Sequence, residues 1–268
     1  MPSNDKTYVL GAGGLTGYEI VDVLRRNEKD VVAVVRTPAS HADKFSATTS
    51  VVAGDVTDAS TLGFPDASAV VFACSGAGAY WTSARDVDYN GLVNVVNAAK
   101  AQSPPPHVVL VTSRLVNPVN GWHPVRMILN NIKRGLMDNK WASEQYLRAS
   151  GLPYTIVRPG GLVGGGHGSD GVPNREPGAD ELVVAGAEGD MQGGRDVLRK
   201  DVAALIASVL EKPEAAAGKT IEVIGKTAGE PATGEPATGE PATGEPVTQS
   251  LASKIAKVPK DVKEDNKL

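Results

Sequence analysis

An apolar stretch, Tyr8-Val9-Leu10, runs straight into Gly11-Ala12-Gly13-Gly14-Leu15-Thr16-Gly17, and a segment with apolar Ile20, Val21, Val23 and Leu24 follows. No other feature limits the fold as much. Gly11, Gly14 and Gly17 have the spacing G-x-x-G-x-x-G. The first glycine permits a tight turn, the middle ones let backbone N–H groups approach a pyrophosphate, and the last lets helix and strand pack closely. The helix that opens there offers unpaired N–H groups and the positive end of its dipole to an anion. Gly11, Gly13, Gly14, Leu15, Thr16 and Gly17 therefore read as a dinucleotide-binding turn between a buried strand and a helix.

The rest of the chain repeats the same alternation. Val31–Val35, Val51–Ala53, Ala69–Ala73, His107–Val111 and Tyr154–Val157 are short apolar or β-branched runs. Such runs read as parallel strands buried on both faces. Residues 84–101 and 124–149 read as helices between them, with a further helix at Asp201–Leu210 and a late strand at Thr220–Ile224. Strand–helix alternation of this kind specifies an α/β fold with a doubly wound parallel sheet, the Rossmann fold. Residues 163–195, with Gly164-Gly165-Gly166-His167-Gly168, carry the least pattern and read as a small C-terminal substrate region. The domain is expected to span 1–225.

Arg36 closes the second strand, nineteen residues after Gly17. A carboxylate there would accept hydrogen bonds from a ribose 2′-hydroxyl, whereas a guanidinium suits a 2′-phosphate by charge and fork geometry. The expected cofactor is NADP(H) rather than NAD(H). Asp55, beside Val56 at the end of the third strand, is placed either to meet the adenine amino group or to serve as a turn residue. Cys74, Ser75 and Gly76 follow the fourth strand, where small residues leave room for a ribose and a nicotinamide. The chain's single cysteine excludes an intrachain disulfide framework, and no basic neighbour marks it as a nucleophile. His123 and His167 read as loop residues, and four scattered histidines offer no metal-ligand spacing.

The segments VLGAGGLTG (9–17), VVRTP (34–38), GDVTD (54–58), VDYNG (87–91), VLVTS (109–113), KWASEQYLRASGLPYTIVRPGGL (140–162) and RKDVAALIASVLEKP (199–213) resemble, in order, those of atypical short-chain dehydrogenase/reductases of the NmrA-like, NAD(P)-binding group. The resemblance implies that Ser113 matches the superfamily's catalytic serine. Lys140 matches the lysine that binds the nicotinamide ribose, and Pro159-Gly160 the segment against the carboxamide. It also marks a departure. The superfamily places a tyrosine, its general acid, four residues before that lysine, and Leu136 stands there. Two functions follow as expectations. One is an oxidoreductase passing hydride from NADPH to a small acceptor of quinone, flavin or carbonyl type. The other is a non-catalytic NADP(H)-binding regulator, scaffold or assembly factor.

After residue 225 the composition changes. GEPAT occurs three times and GEPVT once between Gly229 and Thr248. Such a segment has too little apolar surface to offset its chain entropy, so 226–248 reads as a disordered linker. In residues 249–268, Leu251, Ile255 and Val258 recur at i, i+4, i+7 before Pro259. That peptide reads either as a docking element for a protein partner or as a solvated tail. A net charge of −4 makes no electrostatic case for nucleic acid. No apolar run approaches the ~20 residues that span a bilayer. The cytoplasm is the default location, with an organelle stroma or matrix as the alternative if Met1 follows a removed targeting segment.

Overall fold

The computed structural model describes residues 5–41, 43–76, 83–164, 182–186, 196–225 and 247–261. Strand β1 (Lys6–Leu10) leads into helix α1 (Leu15–Arg26), and β2 (Asp30–Val35), β3 (Ser50–Ala53) and β4 (Ala67–Phe72) follow. A π-helical turn (Arg85–Asn90) opens α2 (Gly91–Lys100), and β5 (His107–Val111) precedes α3 (Pro124–Ile132) and α4 (Leu136–Ala149). Then come β6 (Tyr154–Pro159), β7 (Gly161–Val163), β8 (Leu182–Gly186), β9 (Asp196–Leu198), α5 (Arg199–Glu211), α6 (Pro213–Ala216), β10 (Lys219–Gly225) and α7 (Val247–Lys257).

The main sheet has the order β3-β2-β1-β4-β5-β6-β10-β8. Its strands pair in parallel except β8, which runs antiparallel along β10. The chain winds outward from β1 to β3 and then crosses back to β4 on the other side of β1. That reversal opens a crevice at the C-terminal ends of β1 and β4, the place where open α/β sheets bind ligands. Successive strand residues face opposite layers. Val9 and Val71 join α1 and α5 (Ile20, Leu24, Leu205, Ile206) on one face. Leu10 and Phe72 join α2 and α4 (Leu92, Val96, Leu147) on the other.

Two expectations change. The single helix over 124–149 is two helices. Arg134 and Gly135 both have positive φ, 48° and 78°, and consecutive left-handed residues cannot carry an α-helix forward. Asn130 closes the break: its carbonyl accepts from the Gly135 N–H at 2.7 Å and its side chain accepts from the Met137 N–H at 2.8 Å.

The second change concerns the C-terminal segment. Packing does not end near Gly225, and residues 247–261 are not a free tail. Leu251, Ile255 and Val258 are almost fully buried in the layer formed with α5. The i, i+4, i+7 stripe thus has its partner within the same chain. Lys219 Nζ donates to the carbonyls of Ile255 and Ala256 (2.9 and 3.2 Å), and Lys254 Nζ to that of Leu182 (2.8 Å). Asp261 then accepts from Arg148 Nε (3.0 Å), the Tyr154 hydroxyl (3.0 Å) and Thr220 N and Oγ1 (3.0 and 2.7 Å). The repeats at 226–246, and His167 with most of the expected substrate region, lie outside the described residues.

Candidate functional site

The glycine loop sits at the mouth of the crevice, and each glycine has a separate steric reason. Gly11 has φ +80°, and a Cβ on it would lie 2.9 Å from the Ala73 carbonyl and 3.0 Å from Cys74 Sγ. A Cβ on Gly17 would run into the Gly11 carbonyl, so α1 packs backbone to backbone on the loop. A Cβ on Gly14 would meet only the Gly11 oxygen, at 3.3 Å, and Gly14 N donates to that oxygen at 3.0 Å. Gly14 is the N-cap of α1, with no side-chain cap and no acidic residue in the first turn. The first-turn N–H groups of Leu15, Thr16 and Gly17 are therefore not answered by a capping side chain. This cradle fits a diphosphate.

A residue that sequence reasoning missed closes the loop from outside. His41 lies against Gly13, so a Cβ there would collide with the imidazole, and its Nδ1 is 3.0 Å from the Thr37 carbonyl. It belongs to the short 3₁₀ turn Pro38–His41, just beyond Arg36, which is exposed at the end of β2. No motif marks His41; only the fold of residues 36–41 over the loop does. Asp55 Oδ1 accepts from Thr57 N and Oγ1 (2.9 and 2.8 Å), closing a turn just past β3. Val56 is buried beneath it, against Gly91, and its carbonyl accepts from Asn94 Nδ2 at 2.9 Å.

Across the crevice the ends of β4 and β5 meet α4. Lys140 is 7 % exposed, and its Nζ lies 2.7 Å from Asp88 Oδ1. Asp88 is almost fully buried in the π-helical turn, and its other oxygen accepts from the Gly76 N–H at 2.8 Å. One carboxylate thus joins the loop after β4 to the lysine of α4. Asp88 falls in VDYNG, whose position was legible but whose role was not. Gly76 is needed here because a Cβ would lie 3.0 Å from the Ser83 carbonyl and Ala84 Cα. Exposed Ser75 precedes it. Burial, with the Asp88 charge behind it, pushes the Cys74 thiol up to about 12, so it stays protonated at neutral pH and packs as a small apolar residue.

Ser113 is half-buried in extended conformation just past β5 and opens the 3₁₀ turn Arg114–Val116. Pro159 ends β6 beside Val223 of β10, and the Gly160 N–H donates to the Val223 carbonyl at 2.9 Å. Leu136 begins α4 and is buried with Ala84, Val116 and Met137. No hydroxyl occupies the place one turn before Lys140.

One turn further along α4, Glu144 enters a buried ionic cluster. Its carboxylate accepts from Thr112 Oγ1 (2.6 Å) and from Arg158 Nε and Nη2 (3.0 and 2.6 Å). Arg158 also pairs with Glu222 of β10 at 3.3 Å, and both guanidinium groups of Arg148 and Arg158 lie over the Trp141 ring, 5.7 and 5.6 Å from its centre. Burial pushes the Glu222 carboxyl up to about 7 against the pull of Arg158.

A strand–glycine loop–helix cradle at a sheet's switch point, with a basic residue closing the second strand, defines a dinucleotide-binding protein. Residues 11–213 match the model of the NAD(P)H-binding family, and the chain belongs to it. A putative NAD-dependent epimerase/dehydratase from Bacillus halodurans superposes with a TM-score of 0.65 at 24% identity, covering 82% of this chain and 94% of the other. The anaerobilin reductase ChuY of Escherichia coli O157:H7 gives 0.61 at 24%, covering 85% and 100%. A short-chain dehydrogenase/reductase from Veillonella parvula in complex with NADP gives 0.61 at 15%, covering 84% and 95%. Among curated proteins, an uncharacterised chloroplast protein of Arabidopsis thaliana is 29% identical over 82% of this chain and 70% of its own length. The pea chloroplast protein TIC 62 is 32% identical over 53% of this chain but only 24% of its own length. Among the described residues, no helix is long and apolar enough to cross a membrane.

Proposed function

We propose that the protein is an NADPH-dependent oxidoreductase acting on a small acceptor of quinone, flavin or carbonyl type. The observation that carries this reading is the buried Gly76–Asp88–Lys140 chain of contacts at the strand ends, beside the glycine loop and past the same sheet edge as Ser113. A reduced nicotinamide bound there supplies the hydride. The N–H groups at the start of α1 hold the diphosphate, and Arg36 answers a 2′-phosphate. Lys140 holds the nicotinamide ribose, Pro159-Gly160 flanks the carboxamide, and Ser113 orients the acceptor. Asp88 acts through Lys140 as a positioning residue. Leu136 leaves that position without a proton donor, which favours acceptors that need little protein acid. The Arabidopsis and pea relatives are chloroplast proteins, which supports an organelle stroma as the location.

The same Leu136 supports the second reading, a non-catalytic NADP(H)-binding regulator, scaffold or assembly factor. Saturating the protein with NADPH and screening quinones, flavins and aldehydes by loss of nicotinamide absorbance separates the two. Oxidation with any acceptor supports the enzyme; none across the panel leaves the binding module. Arg36→Ala tests the cofactor. NADPH affinity should fall roughly ten- to hundredfold while NADH affinity barely moves. Equal loss for both would remove the phosphate assignment.

A further inference from the structure

We propose that the outer face of α3 is a peripheral contact for an anionic lipid surface. Val119 and Trp122, just before the helix, are 81 % and 89 % exposed, and Val125, Ile128 and Ile132 are 47 %, 54 % and 69 % exposed. The three helical residues recur at i, i+3, i+7 and so share one side of α3. The adjoining side, from Leu129 round to Arg126, is anchored. Leu129 packs on the Val116–Leu136–Met137 cluster. Buried Arg126 donates to the carbonyls of Leu115 and Val116 at 2.8 and 2.9 Å and pairs with Asp138. The apolar row is thus held outward by a firm base.

Charge selects the occupant. Besides the buried Arg126, which Asp138 neutralises, the stretch from Arg114 to Met137 carries Arg114, Lys133 and Arg134 and no aspartate or glutamate, within a protein of net charge −4. Lys133 and Arg134 follow the apolar row directly, and Arg134 is exposed. A short helix with an apolar outer row, a leading tryptophan and a basic end suits the boundary between acyl chains and anionic headgroups. A second copy of the chain fits less well. An isologous contact would bring two copies of the same basic stretch together, and the nearest carboxylate, Asp138, is already paired with Arg126. The contact is independent of the redox reading, since it needs no nucleotide.

The test is co-flotation of the full chain with vesicles of phosphatidylcholine containing phosphatidylglycerol, against vesicles of phosphatidylcholine alone. Binding to the anionic vesicles should be roughly tenfold stronger, and salt should weaken it. Ile128→Asp with Ile132→Asp should abolish it without lowering the thermal midpoint, because both side chains are exposed. Trp122→Ser, outside the helix, should weaken it independently. Equal binding to both vesicle types, or binding that survives both variants, overturns the proposal. So does a concentration-dependent dimer that Ile128→Asp dissolves while neither vesicle captures the protein.

Discussion

Helix α4 carries two buried ionic clusters one turn apart, and they differ in what surrounds them. At Lys140 a single carboxylate, Asp88, faces one ammonium and one backbone N–H at the rim of the crevice. At Glu144 the charges are shared among Arg158, Glu222, Arg148 and Thr112, and hydrogen bonds extend through Thr220 to Asp261. The second cluster ties α4 to β5, β6, β10 and the C-terminal segment. Among the described residues, the first ties it to the turn Arg85–Asn90 and to the loop after β4 at the rim of the crevice. A helix seated firmly at one turn can present a functional side chain at the next. The comparison predicts that damage at Glu144 reads out as stability and damage at Asp88 as function.

The largest effect should come from removing the C-terminal part of the second cluster. Truncation after Gly225 strips Leu251, Ile255 and Val258 from α5 and Asp261 from Arg148. Burying one such aliphatic side chain contributes roughly 1.5–3 kcal/mol, so loss of three approaches the whole stability of a domain. The truncated chain should be largely unfolded by circular dichroism at 25 °C or below. A folded, cooperative truncation product would show that α7 is dispensable and would return the end of the domain to Gly225. Glu144→Ala should come next, costing about 3–5 kcal/mol in denaturant unfolding, because it leaves Arg158 buried without its main partner.

A smaller effect should appear in the pH dependence of stability. Glu222 sits at about 7 when folded, above an ordinary 4.5. Its contribution is fully present below about pH 4.5 and is lost as pH rises through about 7. His107 opposes it. Burial beside Thr155 lowers that imidazole to about 4 from 6.5, so its contribution is present above about pH 6.5 and is lost as pH falls. Between about pH 6.5 and 8 only the Glu222 slope remains. Glu222→Gln should remove it, so that the variant gains on the parent by on the order of 2 kcal/mol between about pH 5 and 8. Parallel stability curves for the two proteins would mean that Glu222 ionises freely beside Arg158.

What was legible in the sequence follows the range of each interaction. Gly11 to Gly17 is a local device whose steric demands fall within one turn, so loop, strand and helix could all be read. Arg36 was placed by its distance from that loop. Asp88 was not assigned a role, because its partners are twelve residues before it and fifty-two after it. His41 depends on a turn that folds back over Gly13. Arg158 and Glu222 are charges inside strands, and hydrophobic patterning cannot show that each neutralises the other. The stripe on α7 was visible as periodicity, but its partner on α5 lies across the repeats. The break at Arg134 and Gly135 was hidden because apolar spacing continues through it.

Asp88→Asn gives the sharpest test of the division along α4, because it removes one charge and little volume. The Asn oxygen can still accept from the Gly76 N–H, so the loop keeps its turn. Asp88 is the counter-charge of Lys140 among the described residues, and the substitution removes it. The cost to folding should be modest, about 1–2 kcal/mol, well below that of Glu144→Ala. With Lys140 in its proposed ribose-binding role, NADPH affinity should fall roughly tenfold, since its ammonium is no longer held in place. A stability effect alone would be compatible with a merely structural Asp88, so the deciding measurement is a double-mutant cycle with Lys140→Met on NADPH binding. If Asp88 acts through Lys140, the second substitution should add almost nothing to the first, with a coupling above about 1 kcal/mol. Additive losses would mean that each residue meets the nucleotide on its own account, and the positioning role of Asp88 would be lost.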